Sequence, residues 1–278
     1  MAFAAADSSR WAGDMLAEAR DIIASAGRSG VLLRLIGGLG VLATSRDRAF
    51  AARPFRDIDL VGLRRQSRQI GRALTAMGFA ENPHVRFATA GQTVQFFRPC
   101  RHESADGRLA HDDDRIDVYL DAFRLDHEIA LRHRLDVADD VLPPADVLLS
   151  KLQHTDPGPD DLRDMVAILK DLELADADLP GTINASYLAA LCARDWPLHH
   201  DVTRNLERCR SGLAELGLSV GDQQRAAAAV DGLEAALAGQ RKSLRWRVRA
   251  LAGERLPWSD FVDERDGRHI ASRERLGP

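Results

Sequence analysis

The sequence predicts an α+β protein, a mixed sheet with helices packed on it followed by a helical second half. Three observations carry this. Short apolar or alternating runs of strand length recur up to about residue 124. Segments with apolar residues at helical spacing separate the first of them. After "LPPAD" at 142–146 every segment reads helical. The boundary falls near residue 140, giving a core over 1–140 with an N-terminal helix and a helical domain over 141–278.

Ser8 and Ser9 precede a helical pattern with Trp11, Met15, Ile22 and Ala26 on one side, and Gly27 reads as its stop. "VLLRLI" (31–36) reads as a buried strand that "GGLG" breaks, and "VLATS" opens a short helix. "RDRAFAARPF" is polar and punctuated by proline, a loop. "DIDLVGL" (57–63) is the second strand. A helix with Ile70, Leu74 and Met77 follows, closing near Gly78. "HVRFAT", "TVQFFR" and "RIDVYLDAF" read as three further strands. Beyond the boundary, "ADVLLSKLQ", "DDLRDMVAILKDL", "NASYLAALCARD", a segment with Leu206, Cys209, Leu213 and Leu216, and one with Val230, Leu233 and Leu237 all read as helices. The last ten residues read as a frayed tail.

Composition narrows the function classes. Hydrophobic residues make up 45% and charged residues 29%, the balance of a globular protein. A net charge of −4 gives no global attraction to nucleic acid, so such contact requires a local basic patch. Cys100, Cys192 and Cys209 lie far apart with no C-x-x-C pair, which argues against a disulfide framework or a zinc site and for a cytoplasmic setting. No apolar run reaches membrane-spanning length, and the N-terminus has no secretory pattern.

The chemistry concentrates in "RPFRDIDLVG", 53–62. Strand side chains alternate, so Asp57 and Asp59 share one face while Ile58 and Leu60 take the other. Two carboxylates that close repel unless a cation lies between them, and a hard divalent ion such as Mg²⁺ fits oxygen donors. Asp117, between Ile116 and Val118, can complete a three-carboxylate site if its strand is a neighbour. Asp121, four residues on, is the reserve. The bland alternative is a strand entering from solvent. Upstream, Gly37 and Gly38 form a strand–turn–helix junction of the kind that lets backbone amides approach a phosphate.

Together these motifs resemble the nucleotidyltransferase superfamily of the polymerase-β type. The resemblance runs over about residues 31–170: strand, "GG", spacer, "R-x-x-x-D-h-D-h", then a later strand with a third aspartate. It implies a nucleotidyltransferase core in which Gly37 and Gly38 hold the phosphates of an NTP and Asp57, Asp59 and Asp117 bind Mg²⁺. Arg53, four residues before Asp57, is similar to the arginine often seen in the bacterial branch of abortive-infection-type toxins. That branch carries a downstream "K-L" helix and an acidic helix, matched by Lys151 and by Asp161 with Asp164. The spacer between Gly38 and Asp57 is longer than the family's usual one, and Asp160 stands where the family has a lysine. The implied reaction transfers a nucleoside monophosphate to a hydroxyl, on RNA such as tRNA or on a small molecule. The toxin branch also implies an antitoxin partner. The alternative is a non-catalytic protein that keeps the fold to bind a nucleotide or a partner.

Other readings stand beside this one. Asp161 and Asp164 also fit a solvated acidic helix face, and Lys151 can reach solvent past its apolar neighbours. "GLGVLA" fits a dinucleotide fingerprint, but Asp57 begins its strand where that fold's acid would end one. "HDDD" (111–114) reads as a solvated turn. "RKSLRWRVR" (241–249) can grip an RNA backbone through Arg241, Lys242, Arg245, Arg247 and Arg249 beside Trp246. Its plain alternative is a helix with Leu244, Val248 and Leu251 turned inward.

Overall fold

The computed structural model describes residues 2–99, 102–103, 109–110, 113–137, 139–259, 262–263 and 268–269. Cys100, His111, Asp112 and most of the tail lie outside these residues, and the side chains of Ser8, Ser9 and Trp11 lie outside the description. The architecture is α+β with a mixed sheet. The described residues divide into two compact units. One lies within Met1–Ala43, Ala52–Phe123 and Ala130–Leu142, the other within Thr44–Ala51, Arg124–Ile129 and Pro143–Pro278.

The first unit is built on five strands: β1 (Leu33–Leu35), β2 (Asp57–Gly62), β3 (Ala80–Asn82), β4 (Thr93–Pro99) and β5 (Asp113–Leu120). Their order across the sheet is β1-β2-β5-β4-β3. Only β2 and β5 run parallel; β1 on β2, β4 on β5 and β3 on β4 are antiparallel. The antiparallel β1–β2 pair excludes the doubly wound parallel sheet of a dinucleotide fold.

Register decides the two faces. Ile58, Ile116 and Phe96 align across three strands, as do Leu60, Val118 and Val94, and all six are buried. Helices α1 (Ala2–Arg28) and α4 (Ser67–Ala76) cover this face. Gly71 of α4 stands against the Phe96 ring, and α1 packs on α4 and β1. Ala12, Leu16, Ala19, Ile22, Ile23 and Ala26 form the buried stripe of α1. That helix runs past Gly27, and Gly30 takes the left-handed turn instead, with φ +72°, while the Val31 amide bonds back to the Ala26 carbonyl at 3.1 Å.

Three further elements differ from their sequence reading. "HVRFAT" is helix α5 (Pro83–Ala88) and not a strand. Asn82 caps it by accepting from the His84 amide at 3.1 Å, and Pro83 sits at its first turn, where a missing N–H costs nothing. Helix α2 (Gly37–Thr44) starts on the glycines themselves. The polar stretch before β2 contains a single turn, α3 (Arg48–Ala51).

The second unit is helical: α3, α6 (Pro144–Leu152), α7 (Pro159–Asp171), α8 (Ala185–Cys192), α9 (Trp196–Gly212), α10 (Val220–Gly239) and α11 (Leu244–Ala252). A small parallel pair, β6 (Glu173–Ala175) with β7 (Thr182–Asn184), joins it. Leu148, Leu152, Val166, Leu169, Leu188, Val202, Leu206, Val230 and Leu233 are among its buried core. Cys192 and Cys209 are buried, and burial pushes both thiols up to about 12, so neither serves as a nucleophile. Among the described residues no helix is long and apolar enough to cross a membrane.

A candidate metal centre on the polar face of the sheet

The face opposite α1 and α4 carries the polar residues of β2, β4 and β5. Asp59 and Asp117 are direct partners in the parallel β2–β5 ladder, and Asp57 is the partner of Arg115. Parallel pairing at this register brings Asp57, Asp59 and Asp117 together, with one ligand oxygen of each within 4.8 Å of the others. Asp57 and Asp59 are half-buried and Asp117 is buried. Three hard oxygen donors that converge in this way suit Mg²⁺, which prefers carboxylates and keeps waters in its remaining positions. The donor chemistry therefore fits the ion that the sequence pattern implies.

Asp121 does not belong to the cluster. It follows the end of β5 with φ +66°, so the strand alternation that would place it beside Asp117 stops one residue short. Its carboxylate instead accepts from the Arg64 amide at 3.1 Å.

The glycines owe their identity to contact with this face. The Ile36 amide bonds to the Asp59 carbonyl at 3.0 Å, which draws the β1–α2 junction onto β2. Gly37 then lies against the Asp59 side chain with φ +67°, and a Cβ there would stand 2.1 Å from Asp59 Oδ2. At Gly38 a Cβ would stand 2.6 Å from an Arg53 guanidinium nitrogen and 3.0 Å from the Phe55 ring. Arg53 in turn sits over Phe55, 4.6 Å from the ring centroid.

Three neighbours escaped the sequence reading. Gln95 on β4 is the ladder partner of Asp117 from the other side and donates to its Oδ1 at 2.8 Å. Asn82 donates to the Gln95 carbonyl at 2.8 Å, which fixes the amide's orientation. Arg115, two residues before Asp117, ion-pairs with Asp57 and approaches Asp117 Oδ2 at 3.2 Å through Nε. The polar residue between Val94 and Phe96 in "TVQFF", and the arginine in "RID", are the signals that could have found two of them.

Lys151, Asp161 and Asp164 gather in the second unit. Lys151 Nζ lies 2.9 Å from Asp161 and 3.0 Å from Asp164. Asp164 is fully buried, so α7 does not present it on a solvated acidic face. Asp161 also accepts from the Gly158 amide at 3.1 Å, capping α7. Burial works to raise the Asp161 carboxyl, but Lys151, His154 and the Gly158 amide outweigh it and hold it at about 2.

The basic segment 241–249 takes an unexpected orientation. Leu244, Val248 and Leu251 are 77%, 61% and 83% exposed, so the face expected inside lies outside. The opposite face of α11 docks through Trp246, which meets the His199 ring edge-on at 5.2 Å, and through Arg249, which sits 4.6 Å over the Trp196 ring. Arg249 also donates to the carbonyls of Gly253, Leu256 and Pro257. Arg241, Arg245 and Arg247 are exposed.

No protein-family model matches the chain, and no curated protein sequence matches it. Among solved structures it is similar to an antigenic nucleotidyltransferase-like protein from Paracoccidioides brasiliensis. The identity is 12%, with 85% of this chain and 95% of that chain covered, at a TM-score of 0.36. At that identity and score the likeness carries no argument about activity.

Proposed function

We propose that the protein is a Mg²⁺-dependent nucleotidyltransferase that moves a nucleoside monophosphate from an NTP to a hydroxyl acceptor. One observation carries the reading: the oxygens of Asp57, Asp59 and Asp117 converge within 4.8 Å on adjacent strands, beside a glycine turn pressed against Asp59. Asp57, Asp59 and Asp117 would hold the ion. When bound, Mg²⁺ supplies positive charge against the triphosphate and acidifies a coordinated hydroxyl.

The chain's own residues do the rest. Asp117 takes the proton of the acceptor hydroxyl, and Gln95 keeps its carboxylate oriented for this. The acceptor oxygen bonds to the α-phosphorus as the bond from that phosphorus to the leaving pyrophosphate breaks. Amides of the Gly37–Gly38 turn, at the N-terminus of α2, face phosphate oxygens, with Arg53 as a neighbouring cation. The resemblance also assigns Lys151, Asp161 and Asp164 of the second unit to nucleotide binding; there they form an ion-paired group that holds the ammonium in a defined place, with Asp164 fully buried. The finer reading is the toxin branch, with an RNA acceptor such as tRNA and an antitoxin partner. It is supported by the Arg53 spacing and by the order of the Lys151 and Asp161–Asp164 motifs.

The test is incubation with each α-labelled NTP and Mg²⁺, with pyrophosphate release and label transfer as readouts. Asp57→Asn combined with Asp59→Asn is expected to abolish both, together with Mg²⁺-dependent NTP binding by calorimetry. Binding without pyrophosphate from the wild type would favour a non-catalytic nucleotide-binding protein. NTP binding that the double variant leaves unchanged would remove the site.

A further inference from the structure

We propose that Arg115 is a built-in counter-cation of the Asp57–Asp59–Asp117 cluster, and that a divalent ion must displace it from Asp57 to bind. The proposal rests on the reading of these carboxylates as a metal site. Asp57 and Arg115 are ladder partners on parallel strands, so their side chains leave the same face side by side. Asp117 lies two residues beyond Arg115 and shares that face. One guanidinium therefore spans two strands, pairing with Asp57 through Nη2 and with Asp117 through Nε at 3.2 Å.

This geometry calls for arginine. Its extended guanidinium donates to Asp57 through Nη2 while Nε lies within ion-pair distance of Asp117 without making a hydrogen bond to it; a lysine ammonium is a point charge on a flexible stem and cannot reach two carboxylates in this way. The three carboxylates repel one another when no metal is bound, and the guanidinium offsets that repulsion. A divalent ion draws on the same carboxylates and brings twice the charge. The Arg115 side chain is 41% exposed, so once released it has a path to solvent, and a pair that open to water is cheap to break. Arg115 thus stabilises the metal-free cluster and lowers its affinity for free metal.

The experiment is a calorimetric titration of the full chain with Mn²⁺, an oxygen-preferring substitute for Mg²⁺, without nucleotide and alongside thermal unfolding. Arg115→Gln is expected to bind Mn²⁺ about tenfold more tightly or better than the wild type, the order set by removing one cation at hydrogen-bond distance. Its metal-free unfolding midpoint falls, and saturating Mn²⁺ closes the gap. Arg115→Lys keeps the charge but cannot bridge both carboxylates. It is expected to show intermediate affinity, and it covers the case in which the glutamine variant does not fold. Wild-type binding that either variant leaves unchanged or weakens overturns this proposal alone. Absence of Mn²⁺ binding in wild type and variants alike overturns the metal reading, and this proposal with it.

Discussion

The Asp59 carboxylate lies directly against Gly37: a Cβ built on the glycine would stand 2.1 Å from Asp59 Oδ2, and the glycine's φ is +67°. Backbone conformation and side-chain space both disfavour any other residue at the same position. The turn and the candidate metal ligand are thereby one packed unit.

Gly37→Ala is accordingly expected to destabilise the protein and to displace Asp59. The left-handed backbone alone costs about 1–2 kcal/mol, and the collision adds to it. Gly38→Ala meets the end of the flexible Arg53 side chain at 2.6 Å, which can move aside, and the Phe55 ring at 3.0 Å, which must shift slightly, and it has no left-handed backbone to add, so its cost is expected to be smaller. Urea unfolding of both variants checks the order; equal losses would contradict it.

Gln95 acts on Asp117 from the strand opposite β2. Gln95→Leu removes the 2.8 Å donor to Asp117 Oδ1 and leaves Asn82 with no carbonyl partner there. Loss of such an orienting group typically costs roughly 10- to 100-fold in metal affinity or activity. Calorimetry with Mg²⁺ and NTP is expected to show that loss with the fold retained by circular dichroism. Unchanged affinity would show that Asp117 needs no orientation.

The Asp161 carboxyl, held at about 2 in the folded chain, makes stability depend on pH in a defined window. The unfolded carboxyl takes up its proton near the ordinary value of 3.8. Protons therefore favour unfolding as the pH falls through that value. The stabilisation is complete above about pH 5 and is lost down to about pH 2, amounting to roughly 2 kcal/mol at most. Asp161→Asn is expected to lower stability at neutral pH and to flatten this part of the acid limb, as followed by denaturant unfolding between pH 6 and pH 2.

A histidine supplies a second window. Burial, aided by the charge of Lys242 and by His200, pushes His199 down to about 4. The unfolded imidazole binds its proton more readily, so stability is lost as the pH falls from about 6.5 toward about 4. NMR titration of the ring checks the value, and a midpoint near 6.5 would contradict it.

If RNA is the acceptor, its path must be basic, and the segment leading into and along α11 supplies the exposed arginines Arg241, Arg245 and Arg247. Arg249 is committed to Trp196 and three carbonyls and belongs to the fold. Changing the three exposed arginines to glutamine is expected to weaken RNA labelling, most at low salt. It should also reduce the salt slope by roughly 2, as three lost contacts to single-stranded phosphates would. NTP binding is expected to be spared. Full RNA labelling by the triple variant would discard this path, and a small-molecule acceptor would be indifferent to it.

Much of this was legible in the sequence because it depends on local periodicity. The alternation in "DIDL" and "RIDV" is enough to place Asp57 with Asp59 on one face and Ile58 with Leu60 on the other. The apolar spacing beyond residue 143 is enough to call helices. Where local signals competed, the reading failed. "HVRFAT" has the β-branched and aromatic content of a strand, but Asn82 and Pro83 just before it form a helix start. Asp121 continues the alternation of β5 on paper, yet the chain turns there through a left-handed residue.

Tertiary structure alone decided which strands are neighbours. The parallel register that sets Asp59 opposite Asp117, and the antiparallel register that sets Gln95 on its other side, join residues far apart in the chain through backbone hydrogen bonds that leave no local trace. The same holds for Arg115, whose partner is 58 residues away, and for α11, whose apolar stripe predicts burial until Trp246 and Arg249 dock on α9 and turn that stripe to water. A sequence determines which side chains share a face of their own element, since that follows from the geometry of one strand or helix. Which faces meet depends on the balance of packing over the whole chain, and only the folded structure resolves it.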